Sequence, residues 1–251
     1  MTFAHWVFLA VIASAGHAMA LLWYIALKND WRICDRTIYS LPIKERQLKR
    51  ELKNSVHTPI HAVLLGVCLA LGFFRDAGFA SFVVTAVATT VWAEIWHYSS
   101  HRAMHLKRLH WIHAEHHRSH INTPFTAISF SFWEKLIFDI GMLIPFMVAD
   151  LFLPVSFFGI ATWYIGYLII NSFSHANFEF RAPSYTHHVG KFLTTTTYHS
   201  LHHSRYTGNY GLGTRFLDRI FGTEWSDYED VYSQVTEAQK PLSSLRQKAG
   251  A

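Results

Sequence analysis

Long stretches without charge are the feature that most limits how this chain folds. Four of them contain no Asp, Glu, Lys or Arg: residues 3–27, 56–74, 79–93 and 155–173. A fifth, residues 136–153, contains only Asp139 and Asp150. Because a helix needs roughly 20 apolar residues to cross a bilayer, we expect five membrane segments, the third reaching residue 98. Only 16% of the chain is charged, against about a quarter in soluble domains, so the predicted fold class is an all-α, multi-pass transmembrane helical bundle.

The basic residues indicate an orientation for this bundle. Two pairs of segments form predicted hairpins, around residues 75–78 and around Pro154. With that topology the loops 28–55, 99–135 and 174–251 share one face and contain 21 of the 22 Lys and Arg residues. The positive-inside rule places this face in the cytoplasm. Charge partition across a membrane thus accounts for the net charge of +5, and we expect no nucleic-acid partner.

The first apolar stretch also has some features of a signal peptide. Ala18-Met19-Ala20 resembles a cleavage site, but no Lys or Arg precedes the apolar run, whereas a signal peptide begins with positive charge. We therefore expect residues 1–20 to be retained. The predicted location is integral to a bacterial inner membrane or the endoplasmic reticulum.

Histidine is the unusual residue of this chain. Of 18 histidines, 14 fall in two windows, residues 97–120 and 175–203. Residues 113–117 and 199–203 both have the spacing HxxHH, and residues 101–105 have HxxxH. Residues three and four apart share one face of a helix, so each box directs its imidazoles towards one point. Because both windows begin where a predicted hairpin returns, we expect them to meet at one membrane surface, in a cytoplasmic helical cap.

Clustered imidazoles favour a transition-metal site. Imidazole is a suitable ligand for Fe, Zn, Cu and Ni, and two metals need roughly nine imidazoles, as many as the boxes and His175 supply. Two cysteines are too few for a Cys-ligated cluster. Soluble di-iron carboxylate bundles need two Glu-x-x-His pairs, and only Glu94 and His97 have that spacing. Six further histidines are expected at the membrane interface, on the surface or beside the ligands: His5, His17, His57, His61, His110 and His120. The roles of His97, His187 and His188 stay open.

Five elements, in order, resemble the fatty acid hydroxylase/sterol desaturase superfamily of integral-membrane di-iron oxidases. The first, Trp96-His-Tyr-Ser-Ser-His-Arg-Ala-Met-His105, is similar to the first box of methylsterol monooxygenases. The others are His113–His117, Ser174–Asn177, His199–His203 and the closing signature Asn209–Thr223. Two positions depart from the pattern and leave the substrate open: Leu217 replaces the usual Trp, and Tyr198 stands where sterol-acting relatives often have His.

The resemblance implies a set of metal ligands. The nine implied iron ligands are His101, His105, His113, His116, His117, His175, His199, His202 and His203. His97 and His188 are further candidates, and Asn171 is expected to contribute through water. Carboxylates commonly accept hydrogen bonds from ligating imidazoles, and Glu115 and Asp218 are the candidates here.

The predicted function is that of a membrane-bound di-iron oxygenase. The resemblance implies two Fe ions, O2 as co-substrate and hydroxylation or desaturation of a lipid or sterol-like C–H bond. A separate electron donor is expected, of the cytochrome b5 or ferredoxin type with a reductase, because nothing in the sequence resembles a fused one. The alternative is a non-catalytic membrane metal- or haem-binding protein. The predicted regions are 1–91 (membrane segments and basic loop), 92–225 (catalytic region) and 226–251 (polar tail).

Overall fold

Helices make up the regular secondary structure of the part of the chain that the structure describes. This computed structural model describes residues 1–75, 78–187 and 189–249, and within them it contains α-helices, 3-10 turns and isolated bridges but no β-ladder. The all-α prediction is therefore confirmed for these ranges. The α-helices are α1 (Phe3–Lys28), α2 (Glu45–Asn54), α3 (Ile60–Ala70), α4 (Phe79–Met104), α5 (His110–His117), α6 (Phe132–Asp150), α7 (Phe157–Ser174), α8 (Thr196–Arg205), α9 (Phe216–Ile220) and α10 (Tyr228–Thr236).

Helix α7 lies at the centre of the bundle. It packs against α1 on one side and α4 on the other, while α6 contacts both α3 and α4. The apolar core that joins these helices includes Ile12, Leu65, Met142 and Tyr164, each at most 1% exposed. Close packing here relies on Gly159, because a Cβ at that position would lie 2.8 Å from the Cβ of Thr85 on α4. Helices α4 and α7 therefore touch close to the residues at which each begins.

Three of the five predicted membrane segments are helices long and apolar enough to cross a bilayer: α1, α4 and α7. The prediction was wrong for residues 56–74. Helix α3 has only 11 residues and is about 16 Å long, roughly half the thickness of a hydrocarbon core. Residues 136–153 belong to α6, which is not among the candidate spans and which buries Glu134, Lys135 and Asp139 against neighbouring helices.

Short polar side chains fix where several helices begin. Ser131 accepts a hydrogen bond from the Glu134 amide at the start of α6, and Thr195 accepts one from the Tyr198 amide at the start of α8. Such caps satisfy main-chain donors that the helix leaves unpaired. They also set the starting residue, and hence the rotation, of two helices that carry or support histidines.

A second core closes the end of the bundle at which the histidines gather. All ten residues of α8 are buried although its sequence, TTYHSLHHSR, is polar. Its outer face packs Tyr198 and Leu201 against Tyr228 and Val231 of α10. Buried polar groups need hydrogen-bond or metal partners. The imidazoles of this buried helix must therefore have such partners inside the bundle.

Candidate metal centre

The nine histidines singled out by the sequence lie together in two groups. Within each group, one ring nitrogen from every member lies within 4.8 Å of the others. The first group comprises His101, His105, His113, His117 and His202. The second comprises His116, His175, His199 and His203. All are buried except His105, which is partly exposed. Two sets of five and four nitrogen donors suit two adjacent metal ions.

The two HxxHH boxes contribute to the groups in opposite ways. On α5 the first and last histidines, His113 and His117, belong to the first group, and the middle one, His116, to the second. On α8 the middle one, His202, belongs to the first group, and the outer pair to the second. In a helix the third residue along is rotated about 100° from the fourth. Each box therefore divides between two points, and α5 and α8 face each other across both.

Main-chain carbonyls orient five of the nine imidazoles. Each of these rings donates from Nδ1 to a carbonyl oxygen at 2.7–3.0 Å. The pairs are His101 with Tyr210, His116 with Ser129, His175 with Asn171, His202 with Gly208, and His203 with Ser119. A carbonyl oxygen only accepts, so the proton of a neutral ring is fixed on Nδ1. The Nε2 lone pair then points towards the other histidines of the group.

The rings of the two HxxHH boxes are neutral because they are buried. Burial, followed by repulsion between neighbouring imidazoles, lowers the pKa of these six histidines well below the ordinary value of 6.5. Neutral imidazole is the form that binds a transition metal.

The distances between Nε2 atoms fit a bound cation. His116 and His175 both carry their proton on Nδ1, yet their Nε2 atoms are only 3.3 Å apart. Two lone pairs at that distance repel unless a cation lies between them. Two imidazole nitrogens bound at right angles to one metal at about 2.1 Å would be about 3.0 Å apart. The separations of 2.9 Å between His175 and His199 and 2.9 Å between His117 and His202 have the same size. The residues therefore fit a metal centre.

A buried carboxylate supports the loop that holds two of these carbonyls. Asp218 on α9 accepts hydrogen bonds from the main-chain amides of Tyr210 and Gly211 at 2.9 and 2.7 Å, and from the Tyr198 hydroxyl at 2.9 Å. The loop also needs left-handed backbone at Gly208, with φ of +96°, which only glycine adopts readily. Asp218 thus acts on His101 through the Tyr210 carbonyl, without touching an imidazole.

The other predicted supporting residues have different contacts from those expected. The hydrogen bonds and ion pairs of Glu115 join it to Asn54, Arg50 and Arg118, and none of them involves a histidine. The side chain of Asn171 donates to the Ala127 carbonyl at 2.6 Å, while its own carbonyl orients His175. Asn171 therefore contacts the site through its main-chain carbonyl and not through its side chain.

Of the two further candidate ligands, His97 lies outside both groups. His97 is partly buried in the wall of a small cavity beside the second group, and its Nδ1 has no hydrogen-bond partner among the described residues. His110 contacts the Tyr206 hydroxyl, and His120 is exposed. His188 lies outside the described residues.

Glu134 is a supporting residue that sequence reasoning missed. Its Oε1 atom accepts a hydrogen bond from Nδ1 of His113 at 2.6 Å, and the carboxylate is 5% exposed. Such a contact fixes the ring and raises the basicity of the ligand nitrogen. The available signal was a carboxylate at the start of an apolar helix, where a charge is expensive and usually functional.

A buried polar cluster lies next to the site and was also missed. His61 was expected at the membrane interface, but it is fully buried, with Nδ1 2.5 Å from Asp139 and its Nε2 against Lys135. Asp139 also accepts a hydrogen bond from Tyr164 at 3.1 Å. The interfacial prediction was wrong for His61, because α3 and α6 pack face to face and enclose opposite charges between them.

Comparison with known proteins identifies the family. The sequence profile of the fatty acid hydroxylase family matches residues 86–223, more than half of the chain. The chain belongs to this family, as the histidine boxes indicated.

Its relatives include plant proteins named as aldehyde decarbonylases. It is 33% identical to very-long-chain aldehyde decarbonylase GL1-4 of Oryza sativa over 169 residues, covering 65% of this chain and 27% of the relative. It is 31% identical to very-long-chain aldehyde decarbonylase CER1 of Arabidopsis thaliana over 160 residues, covering 62% and 25%. The chain thus spans about a quarter of the length of these relatives. No solved structure matches it significantly.

Proposed function

We propose that the protein is a membrane-bound oxygenase with two iron ions, one held by each histidine group, that acts on a C–H bond of a lipid. The observation that carries this proposal is the convergence of neutral Nε2 atoms in two adjacent groups. Membership of the fatty acid hydroxylase family and three membrane-length helices support it. Hydroxylation and desaturation are both open, and the names of the relatives place long-chain aldehydes among the first substrates to test.

The chain supplies binding, orientation and exclusion of water. When bound, the two irons would supply the reduction of O2 and the removal of hydrogen from a C–H bond. The carbonyls of residues 208 and 210 hold His202 and His101 in one tautomer, and Glu134 does the same for His113. Complete burial of α8 keeps bulk water from the second group. Pre-set ligands of this kind reduce rearrangement during the reaction.

We propose a cytoplasmic location for the histidine end of the bundle and a separate electron donor. The basic loops beside this end support the first part, by the positive-inside rule. His105, the partly exposed member of the first group, supports the second, because it offers a short path from the surface. A cytochrome b5 or ferredoxin with its reductase should therefore reduce the iron-loaded protein, and a protein that stays oxidised with both donors would contradict this part.

Metal analysis of two single variants tests the proposed function. The purified protein should hold close to two irons per chain and show no haem Soret band. His116→Ala removes a ligand of the second group and His202→Ala one of the first, so in each variant iron content and turnover should fall together. His120→Ala, an exposed histidine in the same window, is the matched control. One haem per chain, no iron, or full activity in either ligand variant would refute the proposal.

A further inference from the structure

A cleft separates α4 from α7 between their contact at Gly159 and the histidine end of the bundle. It has a volume of about 490 Å³. Ala86, Thr90 and Glu94 line it from α4, at a spacing of four residues that keeps them on one face. From α7 it is lined by Trp163, Gly166 and Ile170, among others. Both helices are candidate membrane spans, so the cleft lies at the depth of lipid chains.

The cleft leads towards the metal centre. The face of α4 that carries Ala86, Thr90 and Glu94 continues to His97 and His101, which line the small cavity beside the second histidine group. Tyr167 lines both the cleft and that cavity. A molecule lying along the cleft therefore has one end beside the histidines, with the Tyr167 ring between the two spaces.

The two ends of the cleft differ in polarity. The end away from the histidines is lined by Ala86, Trp163 and Gly166, whereas the histidine end is lined by Arg181, Glu94 and Thr194–Thr196. The carboxylate of Glu94 already accepts hydrogen bonds from Gly213 and Thr214, which leaves Arg181 as the charged group open to a ligand. The Arg181 guanidinium lies over the ring of Tyr185 at 4.2 Å, and its Nε has no hydrogen-bond partner among the described residues. A buried donor without a partner is costly, and an oxygen atom of a ligand would satisfy it.

We propose that this cleft binds a lipid with a single long alkyl chain, whose oxygen-bearing head group lies at Arg181 and whose tail points away from the histidines. The reacting carbon is then close to the head group and not at the methyl end, because the polar end of the cleft is also the metal end. This inference rests on the proposed function for the identity of the reaction, but the binding mode stands on the cleft itself. The reverse orientation would bury the head group among apolar walls, which costs several kcal/mol.

Gly166 provides a way to close the cleft without disturbing the fold. A Cβ added at this position would meet no atom within 4 Å, so a larger side chain extends into empty space. Gly166→Phe should therefore fold normally and fill the cleft, and Gly166→Ala is the matched control. By contrast, Gly159 is packed against α4, so a larger side chain there would disturb the helix contact.

Quenching of Trp163 in metal-free protein tests the binding mode independently of turnover. Trp163 lies near the apolar end of the cleft, 11 residues before Ser174 at the other end and so about 16 Å from it along α7. The fluorescence of Trp163 is the part of the signal that is lost in Trp163→Phe. Fatty acids brominated near the methyl end should quench this fluorescence more than fatty acids brominated near the carboxyl group. Gly166→Phe should abolish the difference, and Gly166→Ala should keep it. Stronger quenching by carboxyl-end bromine, or equal quenching in Gly166→Phe and the wild type, would overturn the proposal.

Arg181 provides the test of the head group. Arg181→Leu should weaken binding of a fatty acid or a long-chain aldehyde about tenfold or more, since hydrogen bonds to charged groups contribute roughly 1.5–3 kcal/mol, and should leave an alkane of equal length unaffected. Equal losses for all three ligands would refute the head-group assignment. Products oxidised at the methyl end would overturn the orientation and leave the proposed oxygenase function intact. A protein that binds lipids as described but contains no iron as purified would overturn only the oxygenase function.

Discussion

Glu134→Ala should weaken iron binding although Glu134 belongs to neither histidine group. The carboxylate accepts the Nδ1–H of His113 at 2.6 Å in a site where both side chains are almost fully buried. Without it, the proton of His113 has no acceptor, and the ring is free to turn its Nε2 away from the first group. Loss of such a contact typically lowers metal affinity 10–100-fold, which corresponds to about 1.4–2.7 kcal/mol.

The expected order of affinity separates this contact from general damage. Glu134→Gln keeps an acceptor oxygen and should lose less than about tenfold, because only the charge of the bond is removed. Glu115→Ala removes a carboxylate of α5 that contacts Arg50, Asn54 and Arg118 instead of a histidine, so its iron affinity should equal that of the wild type. Competitive titration with a ferrous chelator measures all three. An unchanged dissociation constant for Glu134→Ala, or an equal loss in Glu115→Ala, would show that the His113 contact does not tune the site.

Three further results should follow from the buried groups. Burial lowers the pKa of His175 from 6.5 to about 4, so below pH 6.5 the unfolded chain takes up a proton that the folded chain does not. The metal-free protein should therefore lose stability as the pH falls from about 6.5 towards 4. A thermal midpoint that does not change with pH in that window would contradict this. Lys135→Met leaves the His61–Asp139 pair without its cation and should lower the free energy of unfolding by about 3–5 kcal/mol, measured by denaturant titration; a change below 1 kcal/mol would mean that the cluster is not charged. Asp218→Ala removes the acceptor of the Tyr210 and Gly211 amides, which hold the Tyr210 carbonyl in place. It should reduce iron per chain without removing a ligand, and full iron occupancy would refute its supporting role.

The spacing of residues predicted that the box histidines gather at one place, as they do in the structure, but not how they divide into two groups. HxxHH on a helix requires three rings near one face, so His199, His202 and His203 could be grouped from the sequence. Which metal each ring faces depends on how α5 and α8 are rotated relative to each other, and that is decided by tertiary packing and by carbonyls such as Gly208. Neither periodicity nor motif spacing contains that information.

The same limit explains the residues that sequence reasoning missed. Glu134 meets His113 across 21 positions of chain, and His61 meets Asp139 across 78. The hydropathy of α3 and α6 predicted apolar membrane segments. In the sequence alone, a charged residue that pairs with an opposite charge on another helix cannot be distinguished from an isolated charge in an apolar stretch. The short length of α3 had no signal either, since the apolar run continues past Ala70 where the helix ends.

The order of the ligands along the chain determines when the site can form during synthesis. Four of the five members of the first group lie between residues 101 and 117, whereas three of the four members of the second lie between 175 and 203. A growing chain therefore exposes an unfinished cluster of four imidazoles well before α8 and the carbonyls of Gly208 and Tyr210 arrive to complete it. Under the proposed function, the iron ions are therefore inserted after translation. Until then these four imidazoles are accessible to competing metals such as copper and zinc, which bind imidazole more tightly than ferrous iron does.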